Sequence, residues 1–169
     1  MPSPATAAAT GSDESFRKGL AAIERRSYQH AVALFQEAIE LERREGSKSP
    51  RMKYISYLGL ALTLTSGRSE EGLKLCLKAV QRDFFDPDLY CNLGTVYLRN
   101  RQKAAAFEAF QKGLNLSPGN QRIRDELERY ERRCDPVFTI LPRGHVINRM
   151  FGALRHYLRM LLTGRSQDD

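Results

Sequence analysis

The order of small, bulky and polar residues along the chain predicts a succession of paired helices. Three positions recur: a small residue, a bulky or sulfur-containing residue four positions later, and a second small residue three positions after that. They are Ala31, Phe35 and Ala38, then Gly72, Cys76 and Ala79, then Ala106, Phe110 and Gly113. Equivalent residues lie 41 and then 34 positions apart. Each set is expected to mark the second helix of a repeating helical pair, with the small residues where two helices cross closely.

A further glycine recurs in the helix before each set, at Gly19, Gly59 and Gly94. The third unit has the fullest pattern, with Tyr90, Leu93, Gly94, Tyr97, Ala106, Phe110, Leu114 and Pro118. At these residues, and across about residues 13–120, the chain resembles the tetratricopeptide repeat family, whose period is 34 residues. The resemblance implies an all-α fold: an α-solenoid of three tetratricopeptide-type helix pairs plus a capping helix and a C-terminal amphipathic helix.

The pattern also divides the chain into segments. The expected order is a disordered N-terminal tail at 1–12, three repeats at about 13–43, 51–84 and 87–120, a capping helix at 121–134, an apolar and basic C-terminal segment at 135–163, and a tail at 164–169. Residues 44–50 contain Gly, Ser and Pro, so the seven extra residues between the first two units are expected to form a loop.

The C-terminal segment contains the most apolar predicted helix, at about 146–162. Its apolar side includes the candidate assembly or docking residues Met150, Phe151, Leu154, Tyr157, Leu158 and Leu161. Burying even five such side chains contributes roughly 7–15 kcal/mol of transfer free energy, so some surface should cover them. Four alternatives remain open: packing on its own repeats, a homodimer, contact with an anionic membrane surface, or a separate protein partner.

Composition narrows the functional classes. The net charge of +7 arises from 27 basic and 20 acidic side chains, mostly Arg interspersed with Glu, which is typical of a solvated helix surface. No nucleic-acid-binding module accompanies that charge, so no nucleic acid partner is expected. The three cysteines lack metal-ligand spacing, and the N-terminus lacks a secretory signal pattern. We therefore expect a cytoplasmic protein.

Residues capable of catalysis do not form a recognisable motif. The histidines His30, His145 and His156 lack the spacing of a zinc motif, and no glycine-rich phosphate loop or nucleophile elbow is present. We expect no catalytic residues, no metal, no cofactor and no enzyme activity.

In the tetratricopeptide family the first helix of each pair lines a concave groove. The resemblance therefore implies nine candidate peptide-binding residues: Phe16, Arg17, Leu20, Tyr57, Leu60, Leu64, Asn92, Thr95 and Arg99. For Phe16, Leu20 and Leu60, a place in the core between helices is an equally good interpretation. One subclass of the family grips the carboxylate of chaperone tails with Lys, Asn and Arg. The corresponding positions here hold Phe16, Leu20, Tyr57, Asp88 and Asn92, so chaperone-tail binding is not expected.

The sequence thus predicts a non-catalytic protein–protein interaction module, an adaptor or scaffold that binds a partner peptide or helix in the groove. A first alternative is a self-associating or membrane-tethered scaffold that acts through the C-terminal helix. A second alternative is a secretion-type chaperone that cradles a partner segment.

Overall fold

The computed structural model describes residues 11–47, 49–65 and 67–133, with side chains described as far as Tyr130. These residues form seven helices and no strand. The helices are α1 (Gly11–Glu24), α2 (Tyr28–Arg44), α3 (Met52–Leu64), α4 (Ser69–Arg82), α5 (Pro87–Arg99), α6 (Lys103–Leu116) and α7 (Gln121–Arg133). Consecutive helices pack as the pairs α1–α2, α3–α4 and α5–α6. The predicted all-α fold of stacked helix pairs is confirmed, while the predicted helix at about 146–162 lies outside the described residues.

The recurring glycines mark the places where paired helices approach each other most closely. A Cβ atom added to Gly19 would lie 2.5 Å from the Phe35 ring, and one added to Gly94 would lie 2.5 Å from the Phe110 ring. At Gly59 the added atom would lie 2.6 Å from the backbone oxygen of Gly72. Because such distances are too short for any side chain, the small residues permit the observed packing.

Helix α1 includes the last two residues of the expected N-terminal tail. Gly11 and Ser12 already belong to α1, and Ser12 is buried. The Ser12 hydroxyl donates a hydrogen bond of 3.0 Å to the Glu45 carboxylate. The Ser12 side chain is thus held by a partner 33 positions away, and the division of the whole chain into segments remains a prediction.

An aromatic cluster joins the first and second pairs. The Phe16 ring stacks on Tyr54 at 4.6 Å between centroids and meets the edge of Tyr57 at 5.2 Å. Phe35 lies 5.5 Å from Phe16 and 5.9 Å from Tyr57. Each such aromatic pair contributes about 0.5–1.5 kcal/mol beyond the burial of its surface. The cluster therefore fixes α1 and α2 against α3.

Polar contacts between the end of α2 and the start of α3 hold together the two ends of the linker between these helices. The Glu42 carboxylate accepts a hydrogen bond from the backbone amide of Arg51 (2.8 Å) and another from Arg51 Nε (2.7 Å). Arg51 Nη1 also donates to Asp13 (2.8 Å), and the Tyr54 hydroxyl donates to the same Asp13 oxygen (2.7 Å). The linker thus starts and ends at fixed points, and Gly46 within it has a positive φ of 91°.

The chain divides into two compact units, Met1–Ile123 and Arg124–Asp169. In the first unit Ile123 is fully buried, and its side chain lies against Gly113. In the second unit Arg129 and Glu126 form an ion pair of 2.8 Å one turn apart on α7. Among the described residues, no helix is long and apolar enough to cross a membrane.

Candidate partner-binding face

The first helices of successive pairs lie side by side and are joined by polar contacts. Lys53 on α3 forms an ion pair of 3.0 Å with Asp88 on α5. The Asn92 side-chain amide on α5 donates a hydrogen bond of 3.0 Å to the Ser56 hydroxyl on α3. Together with the aromatic contacts of Phe16, these bonds align α1, α3 and α5 in one row. We call this row the first-helix face.

Arg122, at the start of α7, occupies the centre of the polar part of this face. Its Nη1 donates to the Tyr57 hydroxyl at 2.7 Å, and its Nη2 donates to Asn92 Oδ1. The guanidinium carbon lies 5.0 Å from the centroid of the Tyr57 ring, and Nη1 lies 4.0 Å from Asp88. One side chain of the capping helix therefore contacts groups on both α3 and α5.

Sequence reasoning did not identify Arg122. The residue lies among several arginines on a helix with alternating charges, and nothing in the sequence separates it from Arg124 or Arg129. Its position in the first turn after the breaking turn Pro118–Asn120 is the only available signal. From that position we could expect Arg122 to lie near the preceding repeat, but we could not predict which residues it contacts.

The charges on this face differ from the expectation drawn from Asp88 alone. A carboxylate such as Asp88 would by itself repel an acidic ligand, but Lys53 and Arg122 both lie close to it. The three side chains together carry one net positive charge, so the repulsion is offset. Burial raises the pKa of the Tyr57 hydroxyl to about 12. The hydroxyl therefore stays protonated at neutral pH while it accepts the bond from Arg122.

The nine candidate peptide-binding residues differ in exposure. Four are buried: Phe16, Tyr57, Leu60 and Asn92. Three are half-buried: Leu20, Leu64 and Thr95. Arg17 and Arg99 are exposed. The buried residues hold the helices together in this structure, and the contact of any of the nine with a partner remains a prediction.

The candidate assembly residues were Met150, Phe151, Leu154, Tyr157, Leu158 and Leu161. All of them lie outside the described residues, and the hypothesis of a C-terminal assembly element remains a prediction.

Two cysteines fill space between helices. Cys76 is a fully buried free thiol, and Cys91 is also fully buried. The Cys76 thiol donates to the backbone oxygen of Ser56 at 3.3 Å, and burial raises its pKa to about 12. The thiolate is the reactive form of cysteine, so burial disfavours the reactive form of Cys76.

Comparisons with known proteins agree with this arrangement. The family model of the tetratricopeptide repeat matches residues 87–120, which begin at α5 and end just before α7. The chain is 29% identical to the Hsp70-Hsp90 organizing protein of Triticum aestivum over 135 residues, which are 79% of this chain and 21% of that protein. It is 31% identical to the Hsp70-Hsp90 organizing protein 2 of Arabidopsis thaliana over 118 residues, which are 69% of this chain and 19% of that protein.

The chain therefore spans about a fifth of the length of the curated relatives it matches. Among solved structures, the Sgt2 tetratricopeptide repeat domain from Aspergillus fumigatus superposes with a TM-score of 0.53 at 20% identity. That match covers 88% of this chain and 95% of the other, and it supports the fold. With its repeat spacing, its glycine-mediated helix crossings and the family match at 87–120, the chain has the fold of stacked tetratricopeptide-type helix pairs, and residues 87–120 match the tetratricopeptide repeat family itself.

Proposed function

We propose that the first-helix face binds a segment of a partner protein, without catalysis. The observation that carries this proposal is the continuous row of helices α1, α3 and α5. Contacts between buried side chains hold the three helices together, and other side chains of the same helices are accessible to a partner. The accessible side chains are Arg17 and Arg99, which are exposed, and Leu20, Leu64 and Thr95, which are half-buried. A preformed row of this kind binds a peptide without the cost of ordering the binding surface.

The chemistry of the face favours an acidic segment with apolar side chains. Two exposed guanidinium groups can each bind a carboxylate through paired hydrogen bonds. The cluster of Lys53, Asp88 and Arg122 adds one net positive charge. Leu20 and Leu64 offer partly accessible apolar surface. An extended or helical peptide that alternates Asp or Glu with Leu or Ile would match these groups.

The curated relatives are named as organisers of the chaperones Hsp70 and Hsp90. We do not extend that partner to this chain, because the positions that grip chaperone tails in the family hold Phe16, Leu20, Tyr57, Asp88 and Asn92. In addition, the polar groups of Tyr57 and Asn92 are already bonded to Arg122. The proposed partner is therefore a different protein.

The experiment is the selection of a displayed random peptide library on the full chain. We expect enriched peptides rich in Asp and Glu, and a loss of affinity of about tenfold or more in the Arg17→Ala/Arg99→Ala variant. The matched control is Lys74→Ala/Lys78→Ala, which removes two exposed cations from α4. Enriched peptides that bind the Arg17→Ala/Arg99→Ala variant as tightly as the wild type would contradict binding on the first-helix face.

We further propose a cytoplasmic location. A buried free thiol, Cys76, is typical of a protein that folds in a reducing compartment. Fluorescence microscopy of the tagged full chain in its native cell tests this proposal, and a signal confined to membranes or to the medium would contradict it.

A further inference from the structure

A cleft opens at the turn between α1 and α2. It consists of two adjoining cavities of about 450 and 270 Å³ that share Ser27 and His30. The larger is also lined by Arg26, Tyr28, Gln29, Leu64 and Thr65, and the smaller by Lys18, Ala21, Ala22, Arg25 and Leu34. We call these residues together the turn cleft.

The turn cleft is apolar at its floor and basic at its rim. Ala21, Ala22 and Leu34 line the smaller cavity, and none of the described residues that line either cavity carries a carboxylate. Lys18 is paired with Glu14 at 2.8 Å. Arg25 and Arg26 take part in none of the ion pairs formed within the described part of the chain. The chemistry of the cleft therefore suits an apolar side chain that is flanked by carboxylates.

The turn cleft and the first-helix face lie on different sides of α1. At 100° per residue, Lys18, Ala21, Ala22 and Arg25 form one stripe of the helix, at the spacing i, i+3, i+4 and i+7. Phe16 and Leu20 lie on roughly the opposite side. A molecule in the smaller cavity would therefore leave Phe16 and Leu20 of the first-helix face accessible, whereas Leu64 lines the larger cavity and is shared by the two surfaces.

A second surface of this chain has the matching chemistry. Phe84 and Phe85 lie between α4 and α5, with 55% and 71% of their surfaces exposed. Their rings pack on each other at 4.3 Å between centroids. Asp83 and Asp86 flank them, and neither forms an ion pair within the described residues. We call residues 83–86 the diphenylalanine loop.

The two surfaces lie at opposite ends of the helices. Leu64 and Thr65, at the end of α3, line the turn cleft, so α4 begins close to that cleft at Ser69. Helix α4 then runs for 14 residues, or about 21 Å, before it reaches the diphenylalanine loop. The loop is therefore separated from the cleft of its own chain by the length of a helix.

We propose that the diphenylalanine loop of one copy docks in the turn cleft of a second copy. Phe84 or Phe85 would enter the cavity above Ala21, Ala22 and Leu34, and Asp83 would face Arg25. The contact joins two different surfaces at opposite ends of the molecule, so it produces head-to-tail chains of copies. The two rings and their flanking charges form a small interface, and we expect weak, concentration-dependent association.

The test is the weight-average mass of the full chain, measured by sedimentation equilibrium across a hundredfold range of concentration. We expect the wild-type mass to rise above that of the monomer. The loop variant Phe84→Ser/Phe85→Ser and the cleft variant Arg25→Glu/His30→Glu should each weaken association by tenfold or more. An equimolar mixture of the two variants should form heterodimers, because each variant keeps the surface that the other lacks.

Matched controls exist for both variants. Lys74→Glu/Lys78→Glu reverses two exposed charges on α4, and Leu116→Ser removes another exposed apolar side chain. Both should associate as the wild type does, and circular dichroism should show that every variant is folded. Asp86 is left unchanged because its side chain caps α5 by accepting from the Asp88 amide.

Three outcomes would overturn the proposal. The first is a wild-type chain that stays monomeric at every concentration. The second is association that persists in both variants, which would assign assembly to another surface such as residues 137–162. The third is a mixture of the two variants in which no heterodimer forms although each variant is folded and monomeric.

Discussion

At the crossing of α3 and α4, the distance between two helix backbones depends on the absence of a single methyl group. A Cβ atom on Gly59 would meet the backbone oxygen of Gly72 at 2.6 Å and the Cys76 sulfur at 2.8 Å. A backbone atom cannot turn away as a flexible side chain can, so the helices would have to separate.

Gly59→Ala should therefore lower the free energy of unfolding. Overpacking costs about 1–3 kcal/mol, and the higher helix propensity of Ala returns up to about 1 kcal/mol. We expect a net loss of about 1–2 kcal/mol, measured by urea unfolding. The control is Gly119→Ala, since no atom lies within 4 Å of that added Cβ. Equal stability of the two variants would show that the crossing relaxes freely.

The buried thiol of Cys76 should make the protein sensitive to alkaline pH. Burial raises its pKa from the ordinary value of 9.0 to about 12. The unfolded chain therefore releases this proton at lower pH than the folded chain does. The stabilising contribution is fully present below about pH 9 and is lost as the pH rises towards 12.

Urea unfolding at pH 8, 10 and 11 should show this loss, and the loss should be smaller in Cys76→Ala. Tyr57, whose pKa burial also raises, contributes in the same direction in both proteins. Identical pH dependence in the wild type and Cys76→Ala would exclude the thiol as a cause.

The recurring small and bulky residues were predictable from sequence because one physical demand, close helix crossing, permits few residue types. Arg122 was not predictable. Its partners Tyr57 and Asn92 come from two other helices, 65 and 30 positions away. An arginine that only faced solvent would look the same in the sequence. Periodicity identified which helices pair, whereas side-chain bonds between pairs depend on the register of the stack.

At the scale of elements, the junction of α2 with α3 depends on a polar network rather than on a short turn. Glu42 has only 6% of its surface exposed and binds both the backbone and the side chain of Arg51. The sequence indicated a loop at 44–50 but did not indicate the hydrogen bonds between Glu42 and Arg51, because Glu42 is one of several charged residues at the end of α2.

Glu42→Ala should destabilise the protein by about 1–3 kcal/mol, because it removes a buried carboxylate that accepts two hydrogen bonds from Arg51. Glu40→Ala on the same helix removes only an exposed pair with Arg43 and should change stability by less than about 0.5 kcal/mol. Urea unfolding of the two variants gives the comparison. If Glu40→Ala lowered the free energy of unfolding as much as Glu42→Ala does, the hydrogen bonds between Glu42 and Arg51 would add no stability.

At the scale of the whole molecule, burial is concentrated in the middle of the first compact unit. All ten residues at 54–63 of α3 are buried, whereas α1 has five buried residues among fourteen. In stacked repeats each unit is stabilised by its neighbours, so a terminal pair opens more readily than a central one.

Hydrogen exchange of the native protein should therefore be slowest in α3. We expect amides of α1 to exchange at least about tenfold faster, as followed by mass spectrometry of peptic peptides. Equal rates in α1 and α3 would mean that the repeats open only together.

The hydrogen bonds between Glu42 and Arg51 also have an evolutionary and a practical consequence. Because Glu42 and Arg51 hold the two ends of the linker, the length of residues 46–50 is uncoupled from the register of the repeats. The segment can lengthen or change sequence at little cost, since loop entropy rises slowly with length. The open space around Gly46 makes it a natural insertion point for a fluorescent or affinity label that leaves both α2 and α3 undisturbed.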